Sequence, residues 1–336
     1  MPNIVSIASA GIVTGALLLS GCSSAGSAGP VDTVPQATYQ NGSSIVDRYG
    51  LDRRYTGFAY RSIESRIAAG HTTAEKDLFV SDGGSTVFLF KNNSYKPAGT
   101  ITNGLLNTDG VWVDKAGNLY VANVDGQNNV TEFAPGASTP TCTYTGANDP
   151  VGMTTDAKGN VFVLDFQNFG STGYVDEYQQ CQNTIVKKLS INKGPNGVAV
   201  DAKGDVFVSY FNASLHGAFE EFPNGSTTGT VLGATVGSPG GLVLDKKGNL
   251  IADDQTGSID IIAPPYTTAT PLVSGLTSPF HVGLNKKETR LFNANASSSP
   301  SVTIYSYPSG SLKKTLDSSD GLDGSLGVSD SPNAVF

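Results

Sequence analysis

An eleven-residue pattern recurs through the chain and constrains its fold more than any other feature. It reads VWVDKAGNLYV at 111–121, MTTDAKGNVFV at 153–163, VAVDAKGDVFV at 198–208 and LVLDKKGNLIA at 242–252. A degenerate copy, VGLNKKETRLF, spans 282–292. The residues Asp114, Asp156, Asp201, Asp245 and Asn285 are spaced by 42, 45, 44 and 40 positions. Each copy has two apolar, β-rich runs around a four-residue turn. The Asp carboxylate can accept hydrogen bonds from the turn's own N–H groups. The Gly supplies the positive φ that closes a hairpin. Both runs are almost continuously apolar, as strands covered on both faces require. Calcium ligation is the other use for such carboxylates. Single carboxylates a whole repeat apart cannot share one ion unless they converge on an axis, and turn formation already accounts for them.

A third strand follows each hairpin: VTEFAPG at 130–136, FEEFPNG at 219–225, IDIIAP at 259–264 and VTIYSYP at 302–308. Pro and Gly end it in a turn leading to a fourth, edge strand. Four strands in roughly 40–45 residues is one blade of a β-propeller. Near the N-terminal side, Asp77–Ser81 and Thr86–Phe90 match second and third strands without a first. Near the C-terminal end, Leu326–Asp330 matches a first strand. The two ends therefore share one blade and close the ring. The fold class expected is all-β, a six-bladed β-propeller over 75–336. Ala334-Val335-Phe336 leaves a seven-bladed count as the alternative.

Residues 1–21 hold an apolar core from Ile4 to Leu19, short for a membrane span and suited to an export signal. Leu19-Ser20-Gly21-Cys22 resembles the lipobox of bacterial lipoproteins. That resemblance implies lipidation of Cys22, cleavage just before it, and a location in the bacterial cell envelope on the periplasmic or outer face. A plain secretory signal is the other reading. Residues 22–50 have the Ser/Gly/Ala character of a tether, and 51–74 form an N-terminal extension before the propeller. With Cys22 lipidated, Cys142 and Cys181 remain. Export permits a bridge between them, and two separate thiols is the alternative. The net charge is −8 with no visible basic cluster, which argues against a nucleic-acid partner. A monomer is expected.

The repeats resemble NHL-type and related six-bladed propellers over roughly 75–336, including lactonase-like and lyase-like branches. The likeness specifies fold and leaves function open. In such rings the loops leading into the inner strands share a face with the loops between second and third strands. Here the first set offers Asp109, Asp149, Asn196, Pro239, His281 and Asp323. The second offers Asp82, Asn123, Asp165, Tyr210, Asp254 and Asn295. This face suits a divalent cation such as Ca²⁺ or a polar ligand, although Asp and Asn are also good turn formers. A lactonase-like site implies Glu, Asn and Asp from different blades. Asn123, Asn196, Asp165 and Asp254 match the oxygen ligands, and no Glu matches. A lyase-like site implies His, and only His281 lies on this face. No nucleophile elbow or phosphate loop is present. Two readings follow. One is a membrane-tethered binding or scaffold module for a protein, glycan or small molecule, with no assigned catalytic residue. The other is a Ca²⁺-dependent lactonase-like hydrolase or lyase working at the channel mouth.

Overall fold

The computed structural model describes residues 77–167, 172–191 and 194–331. In it, each Asp-x-x-Gly-Asn copy is a tight hairpin. The Asp114 carboxylate accepts from the Asn118 N–H at 2.8 Å, and Asp156, Asp201 and Asp245 do the same at 2.9 Å. Gly117, Gly159, Gly204 and Gly248 take φ of 91°, 88°, 89° and 79°. In the degenerate copy Glu288 occupies this left-handed position at φ 52°. That hairpin is one residue longer, because Leu284 pairs with Leu291 where Val113 pairs with Leu119.

The strands form six four-stranded antiparallel sheets. The first blade contains β1 (Asp77–Ser81), β2 (Val87–Lys91) and β3 (Pro97–Ile101). The second contains β4 (Thr108–Val113), β5 (Leu119–Asn123), β6 (Asn129–Phe133) and β7 (Cys142–Thr145). The third is β8 (Pro150–Thr155), β9 (Val161–Asp165), β10 (Gly173–Tyr178) and β11 (Ile185–Ile191). The fourth is β12 (Pro195–Val200), β13 (Val206–Phe211), β14 (Gly217–Phe222) and β15 (Thr230–Val236). The fifth is β16 (Pro239–Leu244), β17 (Leu250–Asp254), β18 (Ser258–Ile262) and β19 (Thr270–Ser274). The sixth is β20 (Pro279–Leu284), β21 (Arg290–Asn295), β22 (Ser301–Ser306) and β23 (Ser311–Leu316).

The last strand, β24 (Val328–Asp330), pairs with β1 and completes the first blade. Ser81 N–H donates to Gly327 O at 3.1 Å and Leu326 N–H to Ser81 O at 2.9 Å. The ring thus closes with six blades rather than seven. Ala334-Val335-Phe336, the segment offered for a seventh, lies outside the described residues, as do Cys22 and everything before Asp77. Apolar side chains fill the gaps between blades. Leu78, Val80, Phe88 and Phe90 of the first blade pack with Phe292, Val302 and Ile304 of the sixth. Each such side chain contributes roughly 1.5–3 kcal/mol of burial.

Cys142 on β7 and Cys181 after β10 are joined, with Cα atoms 5.4 Å apart. The disulfide staples the second blade to the third. Beside it, Tyr144 donates to the buried Glu132 carboxylate and accepts from Cys181 N–H at 2.9 Å.

Candidate functional site at the ring axis

Five inner strands begin with a bulge, and four of them carry glycine at or beside it. The register shifts lie at Thr108/Val111, Pro150/Gly152, Pro195/Gly197, Pro239/Leu242 and Pro279/His281. Gly110, Gly152, Gly197, Gly241 and Gly327 occupy one level of the ring, and His281 takes that place in the sixth blade. The glycines let adjacent inner strands touch. A Cβ on Gly197 would lie 2.7 Å from Gly240 O and Leu242 N, and one on Gly327 would lie 2.7 Å from Asp109 O. A narrow cavity of about 10 Å³, room for a single water, lies among the inner strands, lined by Trp112, Met153, Leu164, Asn196, Leu242 and His281 among others. Its walls mix apolar side chains with the Asn196 amide and the His281 imidazole. Asn196 donates to Pro239 O at 3.0 Å, and His281 Nδ1 accepts from Val328 N–H at 3.4 Å. Burial pushes the His281 pKa down to about 4, so its imidazole is neutral at pH 7.

The strand pairing sets Asn123 opposite Thr108, Asp165 opposite Pro150, Tyr210 opposite Pro195, Asp254 opposite Pro239 and Asn295 opposite Pro279, and no three of the nominated carboxylates and His281 come close enough to share an ion. Asp109, Asn196, Pro239 and His281 lie within β4, β12, β16 and β20 rather than in loops. Asp149 immediately precedes β8, and Asp323 is exposed. Tyr210 is buried at the end of β13, and burial raises its pKa. Several second-strand residues are engaged with loop backbone. Asp165 Oδ1 accepts from Asn148 and Asp149 N–H, both at 3.1 Å. Asp254 accepts from Gly237 N–H at 2.7 Å and Ser238 N–H at 3.0 Å. Asn123 Oδ1 accepts from Leu106 N–H at 3.0 Å. Asp82 accepts from Gly84 N–H at 2.7 Å and Thr86 N–H at 3.1 Å, and burial raises its pKa despite those bonds. Asn295 donates to Ser301 and Thr303 hydroxyls at 3.2 Å. In the second, third and fifth blades the side chain at the end of the second strand fixes the loop leading into its own inner strand. That is the Asx chemistry of turns, acting across strands.

One residue went unnoticed in the sequence. Asp253 on β17 is fully buried, and neither carboxylate oxygen has a hydrogen-bond partner among the described residues. Burial, with Asp260 and Asp254 nearby, raises its pKa well above the usual range. Ser81 and Ser209 hold the corresponding position in their blades. Their hydroxyls donate to the next blade's carbonyls, Asp109 O and Gly240 O, the latter at 2.8 Å. A Cβ on Gly240 would meet both Asp253 Cβ (2.7 Å) and Phe280 O (3.2 Å), so Asp253 sits beside the equivalent carbonyl. Its protonated form can donate there and its ionised form cannot. The raised pKa means that this group favours folding below about pH 4, an advantage lost as pH rises towards its folded pKa. Asp253→Ser is therefore expected to stabilise the protein by about 1–3 kcal/mol at pH 8. The gain should shrink as the pH falls towards 4. Urea unfolding across that range checks it, and a pH-independent difference would count against it.

No protein-family model matches the chain, and no curated protein matches it. Solved structures do. A chain from a nidogen/laminin complex superposes with a TM-score of 0.63 at 14% identity, covering 78% of this chain and 100% of that one. A protein of unknown function from Bacteroides caccae gives 0.59 at 12% identity, covering 76% and 98%. A gluconolactonase from Xanthomonas campestris gives 0.54 at 16% identity, covering 65% and 79%. At these identities the likeness is one of fold: the chain is a six-bladed β-propeller.

Proposed function

We propose that this chain is a binding propeller, held at the bacterial envelope by a lipid on Cys22 and presenting its loop face to a protein, glycan or small molecule. One observation carries the choice of binding over catalysis. The carboxylates and amides that a metal site would use, Asp165, Asp254 and Asn123, hold loop N–H groups, and no carboxylate among the described residues lines the cavity between the inner strands. A nidogen/laminin chain shares the fold, which is in keeping with a propeller that binds another protein. The similarity to a gluconolactonase motivates the second reading, a Ca²⁺-dependent lactonase-like hydrolase.

Calcium and lactones separate the two. A resident Ca²⁺ site at a hundred times its Kd would add ~2.7 kcal/mol. For a domain of this size that raises Tm by roughly 5–10 °C. The binding reading expects no such rise and only background lactone hydrolysis. A Ca²⁺-dependent rise accompanied by turnover would overturn it. Anchoring is checked separately: Cys22→Ala should move the protein from membranes to the soluble fraction, and an unchanged distribution would refute the lipid.

A further inference from the structure

The sequence shows no basic run, yet folding gathers one. Every first-to-second-strand hairpin from the second blade to the sixth carries lysine at its exposed tip, and all these tips lie on the face opposite the loops. Lys115, Lys158 and Lys203 are single. The fifth and sixth blades carry adjacent pairs, Lys246-Lys247 and Lys286-Lys287, all four exposed. Lys246 Nζ donates to Lys286 O at 2.9 Å, which ties the two tips together. The carboxylates of Asp114 and Asp245 are turned inward. Asp245 is buried, accepting from Asn249 N–H and from the Tyr307 hydroxyl at 2.6 Å. Glu288 is the remaining acid at the paired tips, and its carboxylate accepts from Lys246 N–H at 2.8 Å and lies 3.8 Å from Lys246 Nζ, which leaves Lys247, Lys286 and Lys287 as the uncompensated charges of the patch among the described residues. The loop face holds Asp82, Asp109, Asp149, Asp165 and Asp254. In a chain of net charge −8 the cationic patch is thus local to the fifth and sixth blades, since the hairpins of the third and fourth set Lys158 and Lys203 beside the half-buried Asp156, Asp201 and Asp205.

The described chain also begins on the lysine face. β1 starts there at Asp77, whose carbonyl accepts from Ser331 N–H at 3.0 Å. The first blade adjoins the sixth, with Tyr95 of the first against Arg290 of the sixth blade's hairpin. Asp77, the first described residue, thus lies on the lysine face, at the blade next to Lys286-Lys287. We propose that the Lys246, Lys247, Lys286 and Lys287 face docks on anionic phospholipid headgroups. The proposal rests on the lipid-anchored reading only for bringing a membrane within reach. Lysine is a compact point charge suited to a fluid phosphate surface, which needs no fixed geometry. With the patch against lipid, the acidic face points away, where repulsion is screened within about 8–10 Å. A tether on the same side would raise the local concentration of headgroups, so weak attraction would suffice to orient the ring.

The test uses the full chain carrying Cys22→Ala, so that no lipid contributes and failure of the anchor cannot mimic failure of the patch. Cosedimentation is measured with vesicles of one part phosphatidylglycerol to two parts phosphatidylcholine, and with phosphatidylcholine alone. The expected result is binding to the anionic vesicles only, falling as salt rises. Each lysine replaced by Gln should weaken it about fivefold, so Lys286→Gln with Lys287→Gln costs roughly twenty-five-fold and the fourfold variant abolishes it. Lys187→Gln with Lys313→Gln, on outer strands, should change little. Equal binding to neutral vesicles, an unaffected fourfold variant, or binding to dextran sulfate without binding to vesicles would each overturn the proposal.

Discussion

Gly197→Val is expected to destabilise the propeller by more than about 3 kcal/mol and to leave little folded protein at 37 °C. Overpacking a core site ordinarily costs about 1–3 kcal/mol because neighbouring side chains can shift. At Gly197 the first atoms that a Cβ would meet are Gly240 O, Leu242 N and Leu242 Cβ, each at 2.7 Å and none able to move without the backbone. They belong to the inner strand of the next blade, which is itself wedged against the one after. Relief would require parting two blades, and closure of the ring resists that all the way round. Against a typical total of about 5–15 kcal/mol the loss is large. Gly152→Ala is the control. Its Cβ would meet only Leu164 Cδ1 at 3.3 Å, the end of a flexible side chain, so a cost of about 1 kcal/mol or less is expected. Circular dichroism with thermal unfolding distinguishes them, and equal stabilities would refute the role given to the ring glycines.

Removing the disulfide should be nearly as costly. Cys142 and Cys181 are 39 residues apart. In the chain-entropy description, closing a loop of that length restrains the unfolded state by about 4 kcal/mol. Cys142→Ser with Cys181→Ser is expected to lower the denaturant midpoint accordingly. The bond joins the outer rims of two blades, so its loss should expose the seam where Tyr120, Tyr144 and Tyr178 stack, with ring centroids 6.3 and 5.4 Å apart. Proteolysis between the second and third blades would then begin earlier than elsewhere. A double variant as stable as the parent would mean that blade packing alone holds this seam.

The blade architecture was legible because its signals are local. The hairpin carboxylates bond N–H groups four residues on, as at Asp114 and Asn118. The turn glycines need their φ whatever surrounds them. Leu326–Asp330 could be matched to Asp77–Ser81 because an inner strand without its blade and a blade without its inner strand are each incomplete. The candidate face was legible in outline only. The chain placed Asp82, Asn123, Asp165 and Asp254 at equivalent strand ends, but not the loop N–H groups that occupy them.

The sequence by itself determined the unit, its repetition and the closing of the ring, since these follow from hydrogen bonds and apolar alternation within some forty residues. Only the tertiary structure decided the rest. It showed that His281 Nδ1 meets the Val328 N–H of the closing strand, that Asp253 is buried against a neighbour's carbonyl, and that Cys142 meets Cys181. It also gathered lysines dispersed along the chain onto one face. The reason is common to all four: each depends on which blade lies beside which and how closely. That spacing is set by packing across the ring, which no single repeat encodes.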